Sequence, residues 1–167
     1  MRTVRWTPRV TVAAIIESQG RYLLVEEQTA EGLRLNNPAG HLECGETPEE
    51  AVVREALEES ARVFVPQALV GVYLARLREP TRAEQAARDV TYLRFAYAGT
   101  AGEPLPGRAL DAGIERTLWL TLDEVRASAA RHRSPLVLRC IEDHAAGVRH
   151  ALQTVVTPGN LRPPQPD

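Results

Sequence analysis

The chain contains no lysine: all 20 of its basic residues, in a total of 167, are arginines. This excludes a P-loop lysine and Schiff-base chemistry, and it leaves arginine or backbone amides to clamp any phosphate. Cysteine is scarce as well, with Cys44 and Cys140 far apart and in no metal-type paired spacing. A domain of this length buries ~70% of its unfolded surface and needs no disulfide staple. Two lone thiols therefore point to a reducing cytoplasm. No apolar run approaches the ~18 residues of a membrane span, and the opening MRTVRWTPRV lacks the apolar centre of a secretory signal. A soluble, unexported, cytoplasmic protein is the expectation. With 20 basic against 22 acidic residues the charge is near balance, which gives no electrostatic footprint for nucleic acid. These absences leave small-molecule chemistry, with monomer and homodimer both open.

What the chain does have is concentrated between Gly40 and Val63, which reads GHLECGETPEEAVVREALEESARV. Thr47, Pro48 and Glu50 form a capping box with proline at the first helical position, so a helix is expected from Pro48. At ~100° per residue, Val52, Val53, Ala56, Leu57 and Ser60 fall on one side, suited to packing on a sheet, and Glu55, Glu58 and Glu59 fall within a narrow arc on the other, above Ala51. Three clustered carboxylates repel one another and, late in a helix, oppose its dipole. A solvated acidic face is the common meaning of such a cluster. Here the acids share their arc with small apolar residues, and Arg54 beside them can hold a carboxylate in a bidentate grip. A divalent cation would relieve the repulsion, and oxygen-only ligands suit Mg2+ or Mn2+, completed by substrate phosphates.

The spacing Gly40, five residues, Glu46, seven residues, Arg54-Glu55-Ala56-Leu57-Glu58-Glu59 resembles the Nudix box, the signature of hydrolases that cleave a nucleoside diphosphate linked to another group. The match breaks down at Ala61 and Arg62, where the family has glycine and an apolar residue. A left-handed conformation costs a non-glycine residue about 1 to 2 kcal/mol, so the helix is expected to run one residue further. The resemblance implies an α/β/α sandwich with a mixed β-sheet and a metal held by Glu55, Glu58, Glu59 and the Gly40 carbonyl. It also implies that Arg54 orients the acids while Glu43 and Glu46 brace the loop. The family fixes the general base at no single position. Glu55 is the first candidate, and Asp111 and Glu115 are loop candidates for a further ligand.

Around the box, Val10 to Ile16 and Arg21 to Glu26 read as a hairpin turning at Ser18-Gln19-Gly20, followed by a polar loop over 28–36. Val63 to Val65 and Ala68 to Leu77 are separate apolar stretches, the latter a strand. Glu79 to Asp89 reads as a loop, Val90 to Ala98 as a strand and Gly99 to Gly113 as irregular chain. Ile114 to Leu120 reads as a strand, and a second capping box at Thr121 opens a helix to about Ala130. Ser134-Pro135 starts a last helix ending near Ala146. A single domain is expected over 1–156, with a disordered, proline-rich tail over 157–167.

Arg94 in the Val90–Ala98 strand is either an arginine that snorkels at an edge or one that points into a cleft. Arg133, just before a helix N-terminus, is either a plain surface residue or part of an anion site. His41 reads as loop filler, and Cys44 as a thiol without a base. PAGHLE at Pro38–Glu43 and RSPLV at Arg133–Val137 resemble the small bacterial Nudix phosphatases of the NudJ type. That implies hydrolysis of nucleoside tri- and diphosphates and thiamine-pathway pyrophosphates with release of inorganic phosphate. Arg133, within the resembling stretch, and Arg94, on the reading that points it into a cleft, are the expected substrate-binding residues. Two other functions stay open: a pyrophosphohydrolase of nucleotide sugars or dinucleotides, and a Nudix-fold domain that binds a nucleotide without cleaving it.

Overall fold

The computed structural model describes residues 6–79, 88–159 and 161. Of the loop expected over 79–89, residues 80–87 fall outside these, while 79, 88 and 89 belong to strands; most of the expected tail over 157–167 also falls outside. β1 (Arg9–Ser18) and β2 (Arg21–Thr29) form the anticipated hairpin. Gln19 and Gly20 both take positive φ (51° and 76°), the two-residue turn whose twist matches the flanking strands.

The polar stretch 28–36 is not a loop. β2 continues to Thr29 and pairs antiparallel with β3 (Gly32–Asn36), Glu27 lying opposite Arg34 and Val25 opposite Asn36. Arg34 and Asn36 alternate with Leu33 and Leu35, but Leu33 is exposed and Leu35 alone adds an apolar side chain to the core, so the apolar signal is too short to mark a strand. β4 (Ala39–His41) then pairs with β1 and leads to α1 (Pro48–Ser60). The two apolar stretches after α1 are one strand, β5 (Phe64–Glu79), interrupted by register shifts at Pro66/Ala68 and Leu69/Gly71. β5 lies at the end of the strand order, where a proline costs no ladder bond. β6 (Arg88–Ala101) absorbs Gly99 to Ala101, which were expected to be irregular, because Gly99 lies against the Val65 carbonyl where a Cβ has no room.

β7 (Ile114–Thr121) leads through its Thr121 capping box into α2 (Leu122–Ala127). That helix ends three residues earlier than expected. Ser128 donates its hydroxyl to the Val125 carbonyl at 2.9 Å, the chain tightens into a 3-10 turn over Ala129–Arg131, and Arg131 pairs with buried Glu26 on β2. α3 (Leu136–Ala145) follows, with the Ser134 hydroxyl accepting the Leu136 N–H at 3.3 Å.

The seven strands among the described residues join in one mixed sheet. β5, β6, β1 and β4 pair in turn, β6 running parallel to β1, while β3, β2 and β7 form the other wing through the hairpin. Alternate residues of β1 face opposite layers: Val12, Ala14 and Ile16 pack with Ala51, Val52 and Ala56 of α1, and Ile15 packs with Val125, Val137, Cys140 and Ile141 of α2 and α3. This is the expected α/β/α sandwich, and it stands α1 and the start of α3 on opposite sides of the sheet.

The face of α1 turned to the sheet differs from the one its apolar residues suggest. Ala51 lies in the core, Val53 and Leu57 are only half-buried, and Glu55 and Glu59 are buried. Nor does the helix run on past Ser60. Ala61 adopts φ 55°, ψ 21° and donates its N–H to the Leu57 carbonyl at 3.0 Å. Its carbonyl accepts from Leu105 at 2.8 Å. These bonds and its burial offset the left-handed cost, which glycine would avoid.

Candidate active site

The helix that carries the acids is anchored at its first turn. Thr47 Oγ1 accepts from the Glu50 N–H at 3.1 Å, and the Glu50 carboxylate accepts from the Thr47 N–H at 2.8 Å. One turn later Arg54 becomes the hub. Its Nε and Nη2 grip Glu46 at 3.1 and 2.7 Å, its Nη1 donates to Glu55 at 2.7 Å and Glu58 at 3.1 Å, and Nη2 also reaches the His41 carbonyl at 3.0 Å. The bidentate partner is thus Glu46, in the preceding loop, and these bonds hold its carboxyl below the usual carboxylate range. Glu46 also accepts the Glu43 N–H at 2.7 Å, so the brace uses Glu43's backbone and leaves its side chain on the cleft.

Glu55 and Glu59 are each only 8% exposed. Glu59 accepts the Ala39 N–H at 2.8 Å, yet burial pushes its pKa up to about 8, with Glu55, Glu27 and Asp111 adding to the effect. Burial raises Glu55 as well, against the pull of Arg54. Gly40 explains how the carboxylate fits: a Cβ there would overlap the Glu55 carboxyl group. The close approach that glycine allows is toward this side chain. A Gly40→Ala substitution is expected to displace the Glu55 carboxylate and lower turnover by about 10- to 100-fold, the usual cost of misplacing a reacting group by an ångström. Comparing kcat with the urea midpoint separates this from unfolding; unchanged kcat would contradict it.

These residues line a cleft of about 820 Å³. Its lining includes the acids Glu43, Glu55, Glu58, Glu59 and Asp111 with Arg54, and also Arg34, Arg78, Arg94, Arg133, Ser134, Thr11, Glu27 and Asn36. Asp111 also donates its N–H to the Glu58 carbonyl at 2.9 Å, which ties the 102–113 loop to α1. Glu115 sits exposed on β7 outside the cleft and is no candidate ligand here. His41 contributes its carbonyl, and its ring lies 6.3 Å from Tyr92. Cys44 is exposed and Cys140 buried.

Arg94 does not snorkel. It is 7% exposed, and its Nε and Nη1 have no hydrogen-bond partner. Arg133 is half-exposed, its Nε 3.7 Å from Glu27, and its backbone N–H donates to the Leu35 carbonyl at 2.8 Å. Sequence reading missed Thr11, Glu27 and Asn36, because only strand pairing carries them opposite α1.

Among the described residues no three carboxylate, imidazole or thiol groups converge as a metal site. Arg54 holds one oxygen each of Glu55 and Glu58, Oε1 and Oε2 respectively, and leaves the second oxygen of each carboxylate to other partners. The donor set nonetheless fits a hard divalent cation: the ligands are carboxylate oxygens, and they outnumber the one arginine among them.

The NUDIX domain family model matches residues 6–140. Phosphatase NudJ of Escherichia coli strain K12 is 35% identical over 150 residues, which cover 89% of this chain and 90% of that protein. A solved NUDIX hydrolase from Nitrosomonas europaea superposes with a TM-score of 0.81 at 44% identity, covering 92% of this chain and 99% of the other. The MutT NUDIX hydrolase from Burkholderia pseudomallei gives a TM-score of 0.61 at 25% identity, over 83% of this chain and 98% of that one.

Proposed function

The chain belongs to the Nudix family of hydrolases acting on phosphoanhydrides, and from that premise we propose that it is a Mg2+-dependent phosphatase that removes the terminal phosphate of nucleoside tri- and diphosphates and of thiamine-pathway pyrophosphates. Mn2+ is the alternative ion, and the cytoplasm is the proposed location. Among the described residues no helix is long and apolar enough to cross a membrane. The observation that carries the reading is the cleft itself, whose lining combines the buried carboxylates of Glu55 and Glu59 with several arginines.

Water attacking a phosphoanhydride meets an anion, so catalysis is largely positioning and charge neutralisation. Glu55, Glu58 and Glu59, with the Gly40 carbonyl, would hold the divalent cation, which supplies charge neutralisation and an acidified water. Arg54 fixes the helix acids against the Glu43–Glu46 loop. Glu55, pressed between Gly40 and Arg54, is the candidate to take the water's proton, and Asp111 adds an acid at the mouth. Arg94 and Arg133 line the same cleft and would receive substrate phosphates. A purely binding role fits poorly, because Arg54, Glu55, Glu58 and Glu59 are all present and line one cleft.

Phosphorus NMR of a GTP digest tests the reading. Inorganic phosphate and GDP are expected from the first turnover. Pyrophosphate with GMP, or cleavage confined to nucleotide sugars and dinucleotides in a substrate panel, would refute it.

A further inference from the structure

The lining of the cleft is mostly charged or polar, and among its described residues only His41 and Tyr92 carry rings. Strand pairing puts both on one face of the sheet. Thr11 of β1 pairs with His41 of β4 and with Arg94 of β6, and Tyr92 lies two residues before Arg94, where a strand returns its side chains to the same side. β5 adds Leu77 to this face, since its partner Val90 is again two residues before Tyr92. Leu77 is half-buried, whereas Leu136, the other large apolar residue of the lining, is only 7% exposed.

The two rings stand beside the acids. His41 follows Gly40, against which the Glu55 carboxyl group lies, and its carbonyl accepts from Arg54 at 3.0 Å. The His41 ring is exposed and tilted 47° to that of half-buried Tyr92, with the centroids 6.3 Å apart. Arg9 fixes Tyr92: its Nη1 donates to the Tyr92 hydroxyl at 3.1 Å, and its guanidinium carbon sits 5.9 Å from the ring centre. Neither His41 nor Tyr92 is among the side chains packed in the two core clusters, so core packing does not account for an aromatic at either position. Carboxylates and arginines serve a metal and a phosphate chain, but they give a flat ring no apolar surface. Tyr92, His41 and Leu77 supply that surface within the same cleft.

We propose that Tyr92, flanked by His41 and Leu77, is the seat for the flat heteroaromatic ring of the substrate, a nucleobase or the pyrimidine of a thiamine phosphate. It is then a specificity-determining residue that favours ring-bearing phosphates over bare ones. Stacking depends on a π face and not on the hydrogen-bonding pattern of one base, so the seat accepts more than one ring. The proposal rests on the phosphohydrolase reading but is tested apart from it. GMP and thiamine monophosphate, neither of which has a phosphoanhydride to cleave, are titrated separately in a buffer containing MgCl2, and whichever binds wild type identifies the ring. Tyr92→Leu should weaken that binding at least about fivefold, the lower end of what a lost stack costs. Tyr92→Phe, which keeps the ring and gives up the Arg9 bond, should bind close to wild type. In hydrolysis, Tyr92→Leu should raise KM for GTP relative to KM for inorganic tripolyphosphate by at least about fivefold, a ratio that a general loss of structure would not move. Failure of both monophosphates to bind wild type, wild-type affinity in Tyr92→Leu, or an equal loss in Tyr92→Phe would overturn the proposal. If GTP is not hydrolysed yet monophosphate binding depends on Tyr92, the hydrolase reading falls and the ring seat stands.

Discussion

Replacing Glu59 by Gln is expected to cut turnover about 10³-fold while stabilising the metal-free protein at alkaline pH. The turnover loss follows from removing one charged ligand from the set that neutralises the anionic transition state, worth several kcal/mol. The stability gain follows from burial. Glu59's folded pKa, about 8, lies above its ordinary value of 4.5, so between those values the folded protein binds more protons than the unfolded chain. Stability therefore falls as pH rises from about 4.5 to about 8 and stays low above that range. A glutamine has nothing to titrate, so melting curves in EDTA from pH 5 to pH 9 should decline less steeply for Glu59→Gln than for wild type. Parallel declines, or near-normal turnover, would remove Glu59 from the site. Glu50→Gln should leave turnover nearly intact, since Glu50 serves the cap and glutamine can serve it too.

Arg54→Met should be damaging in both respects, with a stability loss of about 2 to 4 kcal/mol and a turnover loss of at least about 10²-fold. The guanidinium joins Glu46, Glu55, Glu58 and the His41 carbonyl, and without it the buried Glu55 carboxylate loses its cation and the loop loses its anchor. Arg54→Lys should recover little, because a lysine cannot span Glu46 bidentately while reaching α1. Urea unfolding at pH 7 together with kcat measures both losses. A lysine variant close to wild type would mean that charge alone suffices.

The box was legible from sequence because its residues are local. Capping at Thr47, the register of Arg54 to Glu59 and the glycine at position 40 all act within one helix and the turn before it. What sequence could not show were the contacts made by pairing. β3 was hidden because only one of its leucines, Leu35, is buried, and Thr11, Glu27 and Asn36 come together in the cleft only once β1, β2 and β3 are aligned. Helical periodicity placed the acids on the outer face, yet Glu55 and Glu59 are buried, because β4 comes up against them and Gly40 leaves room. At Ala61 the local cost of a left-handed residue was real, but bonds to Leu57 and Leu105 outweighed it. Arg94 stood undecided in sequence because alternation along a strand does not tell which face a cleft occupies.

The central claim is that Glu55, Glu58 and Glu59 form a divalent-cation site on which phosphoanhydride hydrolysis depends. The most direct measurement is phosphate release from GTP by protein stripped with EDTA, desalted and then titrated with MgCl2. No release is expected from the stripped protein, and Mg2+ should restore activity saturably in wild type but not in Glu59→Gln. Full activity in the stripped protein under continued chelation would contradict the claim.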